Sequence, residues 1–373
     1  MDGVDVALIE TDGEVIEGFG PTASYPYDAL EWQLLVEAVE SARGILRRTD
    51  RSGVLAIAEQ AVTAKHAQCV KDFARAKGID LSSVDVVGFH GQTVLHRPEK
   101  ELTVQLGDGP GLSRQLGVPV VYDFRAADTE RGGQGAPLAP IFHRALALRS
   151  KLPFPAAFVN IGGISNITFI PEGGPEAMIA FDVGPGNCLI DDWAMLHTGK
   201  PIDRDAKLAL AGSIDMASLQ AMLSNPYFSA PAPKSLDRHS FTLDPVMRLS
   251  PADGAATLTA LTVAGIGASA RLLPENPKIW IVSGGGARNP HILEGLRRIL
   301  QPRLVTAEEQ GFDSDFVEAQ AFAFMAARLM RRLPSSFPGT TGAREQTVAG
   351  VLTNAGVSPE TKDSPSETAT SAE

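Results

Sequence analysis

Apolar, β-branched runs that stop at glycine recur through both halves of this chain. They restrict it to folds whose strands end at a binding edge. The clusters are Asp2-Gly3, Gly162-Gly163, Gly184 with Gly186, and Gly284-Gly285-Gly286. Glycine at a single strand end is ordinary punctuation. Several such ends, spread over both halves, predict a cleft whose backbone N–H groups receive a polyphosphate. Neither a GxxxxGKS/T loop nor a GxGxxG fingerprint is present, which argues against P-loop NTPases and Rossmann dehydrogenases.

The stretch FDVGPGN, Phe181 to Asn187, carries the most chemistry. It follows an apolar run, Ala177 to Phe181, and precedes the helical spacing of Cys188 to Leu196. Asp182 is thus predicted at the C-terminal end of a strand, where open α/β sheets bind ligands. The plainer alternative is a tight turn with Asp182 and Asn187 as local caps. Other polar residues sit at predicted strand ends. His90 and Gln92 fall in a turn after Val84 to Phe89, and His90 alone reads as a hydrogen-bonded turn residue. Asp123 and Arg125 flank Phe124 after Val118 to Tyr122, as either a ligand-facing pair or a satisfied ion pair. Glu318 lies in FVEAQAFAF among Phe316, Val317, Phe322 and Phe324, where a carboxylate needs a partner or a ligand. The alternative there is an exposed helix face.

Strands alternate with helices throughout, predicting α/β layers with mostly parallel pairing and antiparallel hairpins at the edges. Val4 to Ile9 and Val15 to Phe19 form a hairpin around an Asp-Gly turn. Helices are predicted over Ala29 to Arg48, Val54 to Lys77 and Leu138 to Leu148. After Pro153 and Pro155 the pattern restarts with Ala157 to Ile161 and Asn166 to Ile170, dividing the chain into related units, 1–152 and 153–353. The last helix of the second unit, Ser314 to Leu333, is positioned to pack back on the first. Ile279 to Ser283 leads into the triple glycine, with Asn289 as N-cap and Pro290 as first residue of the next helix. Residues 354–373 lack periodicity and read as a disordered tail.

A length of 373 residues suits two domains, and 44% hydrophobic content supplies their cores. The net charge of -11 argues against a nucleic-acid surface. Cys69 and Cys188 read as reduced core thiols. No run approaches the roughly 18 apolar residues of a membrane span, and the N-terminus has no signal-peptide pattern, so the expected compartment is the cytoplasm.

Several segments resemble the anhydro-N-acetylmuramic acid kinase family. They are DGVDVALI at Asp2, GFHGQTVLHRP at Gly88, VVYDFRAADTERGGQGAPLAPIFH at Val120 and VNIGGISNIT at Val159. FDVGPGN at Phe181, NPYFSAPAPKS at Asn225, VSGGGARNP at Val282 and PGTTGA at Pro338 complete the set. The resemblance implies two related actin-like (ribonuclease H-like) domains around a central cleft. It also implies an ATP- and Mg²⁺-dependent enzyme of cell-wall sugar recycling, which opens the 1,6-anhydro ring and phosphorylates O6. Asp182 would be the base that activates water. Asp2, Gly3, Val4 and Asp5 would meet the nucleotide, Asp2 also the Mg²⁺, together with Gly162, Gly163, Gly184, Gly284, Gly285, Gly286 and Asn289. His90, Gln92, Asp123, Arg125 and Glu318 would contact the sugar.

Family members carry Gly-Thr-Ser ahead of the DGVD segment, in a phosphate loop that follows a leading strand. Here Met1 directly precedes Asp2. The expectation is either a misassigned start, or weak ATP binding with an exposed sheet edge prone to association, with which a homodimer is compatible. An ordinary sugar kinase and a catalytically inactive sugar- or nucleotide-binding protein are the competing readings.

Overall fold

The computed structural model describes residues 3–236 and 240–353; Asp2 and the tail 354–373 lie outside them. The first half opens with an antiparallel hairpin of β1 (Gly3–Thr11) and β2 (Ile16–Pro26). The Asp12 carboxylate closes its turn by accepting from Glu14 and Val15 N–H at 2.8 and 2.7 Å. Two helices follow, α1 (Ala29–Ala42) and α2 (Val54–Lys77). Asp28 and Glu31 form a capping box on α1, worth about 1 kcal/mol. Next come β3 (Val87–Phe89), β4 (Gln92–Arg97), β5 (Leu102–Leu106), α3 (Gly109–Leu116), β6 (Val120–Tyr122), α4 (Ala126–Glu130) and α5 (Pro140–Arg149). β3 runs parallel to β6, while β4 and β5 form a separate antiparallel pair.

The second half contains β7 (Ala156–Ile161), β8 (Ile164–Ile170), β9 (Ile179–Pro185), α6 (Cys188–Thr198), α7 (Lys207–Leu210), α8 (Met216–Leu223) and α9 (Pro251–Ser269). β10 (Ile279–Ser283), α10 (Pro290–Ile299), β11 (Leu304–Thr306), α11 (Val317–Met330), α12 (Pro338–Thr341) and β12 (Val351–Thr353) complete it. Its sheet has the order β11-β10-β7-β8-β9. β11, β10 and β7 are parallel, and β8 is antiparallel to both neighbours. β7, β9 and β10 therefore end at one edge, the edge at which α/β sheets take ligands.

Trp193, Trp280, Phe181 and Ile292 fill a core on one face of this sheet. On the other face Phe158, Ile170 and Ile281 join Phe124, Phe142 and Phe324 in a core shared by both halves. α11 returns to the first half. A Cβ at Gly88 on β3 would lie 2.2 Å from the Phe322 carbonyl oxygen, so the helix approaches the strand as only glycine allows. Arg328 Nη1 donates to Gly13 O at 2.7 Å, tying the helix to the first hairpin. β12 pairs antiparallel with β6.

Several elements differ from the sequence reading. α1 stops at Ala42, because the Asp50 carboxylate accepts from Leu46 and Arg47 N–H at 3.4 and 3.1 Å and builds a turn there. Gln92 starts strand β4 instead of lying in a turn. Asp182 lies within β9, opposite Asn166, and not at the strand's end. α4, β11 and β12 have too few residues to show a period. Contrary to the reading of apolar runs, Pro251–Leu272 is long and apolar enough to cross a membrane, with a mean hydropathy of 1.3. It packs against α6, α8, α10 and β9 as a core helix.

β1 pairs only with β2 among the described residues. Its other edge borders a cavity of about 990 Å³ whose far wall is β3 and which α11 also lines, at Glu318, Phe322 and Ala323.

Candidate active site

The glycine turns of the second half meet at one place. Ser283, at the end of β10, is paired with Asn160, one residue before the end of β7. Gly162, Gly163 and Gly284 to Gly286 extend beyond those ends. Between them stands Asn187 at the start of α6, donating from Nδ2 to Ile161 O at 3.1 Å. A Cβ at Gly285 would come 3.5 Å from the same amide nitrogen, and one at Gly286 3.1 Å from its oxygen.

The glycines divide by what they face. Gly163 and Gly285 are exposed, and a Cβ at Gly163 would meet nothing nearer than Cys188 Cβ at 3.8 Å. Packing therefore does not require glycine there, whereas close approach of a ligand would. Gly184 is different: it is buried, and a Cβ would lie 2.9 Å from Phe228. It shapes the turn from within. The N–H groups of Gly186, Asn187 and Cys188 are bonded to the Gly162 and Gly163 carbonyls, so they brace the turns instead of pointing outward as the sequence reading expects. Asn289 accepts from His291 and Ile292 N–H as the α10 cap, leaving its carboxamide oxygen committed.

Asp182 is half-buried and gripped by the segment 226–236. Its Oδ2 accepts from Leu236 N–H at 2.8 Å, its own N–H donates to Lys234 O, and its carbonyl accepts from the Tyr227 hydroxyl at 2.7 Å. Burial raises the carboxyl to about 6, against the lowering effect of the Leu236 N–H. Among the described residues Oδ1 takes no hydrogen bond. Lys234 Nζ donates to Tyr227 O at 2.6 Å and lies 4.5 Å from the Tyr227 ring and 5.6 Å from the Phe181 ring. Burial lowers the ammonium. A carboxylate raised toward neutrality, with one oxygen unbonded among the described residues, suits a general base.

The structure divides the sugar-contact candidates. Arg125 does not pair with Asp123. Its Nε and Nη2 lie 3.2 and 3.1 Å from His90 Nε2, and Nη1 donates to Gly135 O at 2.7 Å. Burial and Arg125 push His90 down to about 3, so the imidazole is neutral and accepts with the nitrogen a base would use. Asp123 is bonded to Arg48, with a backbone φ of 57°. Burial raises it to about 6, Arg48 opposing. It lines a cavity of about 370 Å³ with Arg48, Arg51, Glu59 and His90. Gln92 and Glu318 line the larger cavity beside His90. Glu318 is exposed, which corrects the expectation of apolar surroundings: the first turn of α11 directs it outward, and Arg125 lies close enough to feel its charge. Gly3, Val4 and Asp5 lie on β1 beside the same cavity. Among the described residues no group of three or more His, Cys, Asp or Glu side chains could hold a metal.

Arg48, Gln134, Tyr227, Lys234 and the Leu236 N–H are not candidates from sequence. Three of them sit inside the segments that carry the family resemblance; a backbone N–H and an arginine from a distant turn have no sequence signature.

The family model for anhydro-N-acetylmuramic acid kinase matches residues 1–355. A protein of that name from Nitrobacter winogradskyi is 50% identical over 354 residues, 95% of this chain and 96% of the relative. One from Agrobacterium fabrum is 47% identical over 362 residues, 95% and 96% of the two chains. Among solved structures, the activator of 2-hydroxyisocaproyl-CoA dehydratase from Clostridium difficile with bound ADPNP overlays loosely, with a TM-score of 0.38 and 10% identity over 86% of this chain and 90% of that one. The sequence matches carry the assignment: this chain belongs to the anhydro-N-acetylmuramic acid kinase family.

Proposed function

We propose that this chain hydrolyses the 1,6-anhydro bond of anhydro-N-acetylmuramic acid and transfers the γ-phosphoryl group of ATP to O6, yielding N-acetylmuramic acid 6-phosphate. The observation that carries this reading is Asp182, on β9 three residues before that strand ends, a carboxylate raised to about 6 whose Oδ1 takes no hydrogen bond among the described residues. Asp182 takes a proton from water as the water oxygen bonds to C1. The C1–O6 bond breaks, O6 takes the phosphoryl group and ADP leaves. ATP supplies the phosphoryl group, and Mg²⁺ bound with it would supply positive charge that offsets the phosphate oxygens. Gly162, Gly163 and Gly285 let the phosphates approach the backbone. Leu236 N–H holds Oδ2 of Asp182, and Oδ1 is the oxygen that takes the proton. The Arg125 guanidinium, held by neutral His90 and the Gly135 carbonyl, is the candidate partner for the substrate carboxylate. Recycling of cell-wall sugar in the cytoplasm is the setting this chemistry fits.

Incubation with the anhydro sugar and ATP tests the reading: a product heavier than the sugar by one water and one phosphoryl group, with one ADP per turnover, supports it. ATP hydrolysis without sugar phosphate contradicts it. The pH profile is a second check. A base must be deprotonated, so kcat/KM is expected to fall about tenfold per pH unit below about 6, the value to which Asp182 is raised. A profile flat down to pH 5 would contradict that role.

A further inference from the structure

Asp128 is fully buried on α4, outside the residues assigned above, and among the described residues no cation is bonded to its carboxylate. Its Oδ1 accepts from Ser336 and Thr341 hydroxyls at 2.5 and 2.6 Å, and its Oδ2 from Gly135 N–H at 2.7 Å. Burying such a group is costly unless each acceptor is used. These donors come from two separate stretches of chain. The loop 132–135 folds tightly round the carboxylate, since a Cβ at Gly133 would lie 2.2 Å from Oδ2. Thr341 ends α12, which sits against β9: a Cβ at Gly339 would lie 2.2 Å from Met178 O, four residues before Asp182.

That loop reaches both sides of the site. The Gly135 carbonyl holds Arg125 Nη1, and Gln134 N–H donates to Thr341 O at 2.7 Å. The Gln134 side chain crosses to the other half, where its Oε1 accepts from the Ser235 hydroxyl at 3.4 Å. Ser235 precedes Leu236, whose N–H holds Asp182. The chain of contacts thus runs from one buried carboxylate to the sugar-side arginine and to the base.

We propose that Asp128 is a positioning residue: its carboxylate sets the loop 132–135 so that Gln134 holds the Ser235–Leu236 segment, and through it Asp182, in register with Arg125. This rests on Asp182 acting as the base. An asparagine at 128 would turn an N–H₂ group toward donors that need acceptors, releasing the loop. Among the described residues, burial and the Leu236 N–H set the titration of Asp182, while the Tyr227 hydroxyl meets its carbonyl and Lys234 lies over the Phe181 and Tyr227 rings.

Asp128→Asn and Gln134→Ala test the proposal together. Gln134 is partly exposed and its backbone bonds survive truncation, so Gln134→Ala should melt within about 2 °C of wild type. Its kcat should fall about tenfold, and the acid limb of its pH profile should move up by about half a unit as the Leu236 N–H loosens. Amide exchange at Leu236 should quicken in both variants, a readout independent of what Asp182 does. If Asp182→Asn keeps its turnover, the base reading fails by that result alone, and faster Leu236 exchange still supports the positioning. Unchanged kcat, acid limb and Leu236 exchange in Gln134→Ala would overturn the proposal, whatever Asp128→Asn does to the melting temperature.

Discussion

Asp182→Asn should lower kcat at least about 1,000-fold while leaving ATP affinity and fold intact, because the change removes a base and little else. The replacement is isosteric, and a carboxamide oxygen can still accept the Leu236 N–H that now binds Oδ2 at 2.8 Å. The Tyr227 hydroxyl and Lys234 carbonyl contacts involve only the backbone of residue 182. Steady-state kinetics with the anhydro sugar, alongside thermal melting and ATP titration, separates the outcomes. Residual turnover within tenfold of wild type would remove Asp182 from the mechanism. Neither of the other titratable candidates is free to take over: the His90 lone pair is occupied by Arg125, and Asp123 is tied to Arg48.

Gly163→Val should raise KM for ATP at least tenfold, equivalent to about 1.4 kcal/mol of lost binding, while the melting temperature shifts by no more than about 2 °C. The argument is one of space. A Cβ at 163 meets only Cys188 Cβ, at 3.8 Å, and the residue is exposed, so the fold does not itself demand glycine there. A nucleotide phosphate drawn up to the same turn would. Gly284 would be a poor choice for this test. Its φ of 81° would strain any side chain, and a Cβ there would lie 2.4 Å from the Asn160 side-chain oxygen. Wild-type ATP affinity in Gly163→Val would detach the 162–163 turn from nucleotide binding.

Long periodic elements are legible in the sequence because their signals are physical. α2 begins and ends at the predicted residues, Val54 and Lys77, with Gly78 left-handed at its C-cap, as a helix terminator requires. The β7–β8 hairpin and the glycine-ended β10 likewise follow from apolar runs bounded by glycine. Strands of three residues, such as β11 and β12, offer no period; their neighbours in the sheet define them. Periodicity alone overextends α1, because the apolar pattern continues past Ala42 while the Asp50 side chain ends the helix through a local contact.

The site shows the same division. Asp182 and the glycine turns can be named from residue type and flanking pattern. Their partners cannot. Arg48 reaches Asp123 from 75 residues away, and Gln134 meets Ser235 across 101 residues. The neutrality of His90 depends on burial and on a guanidinium that adjacency in sequence would assign to Asp123. A carboxylate such as Asp128, enclosed by hydroxyls from the far end of the chain, looks like any helix-surface acid until the chain is folded.

Turnover in ¹⁸O-labelled water, quenched and read by mass spectrometry before the anomeric hydroxyl can exchange, tests most directly whether this site activates water. One labelled oxygen on C1 of the sugar, and none in the phosphoryl group, is the predicted result. A sugar phosphate formed at full rate with no label at C1 would contradict it, because Asp182 would then have drawn its proton from a sugar hydroxyl.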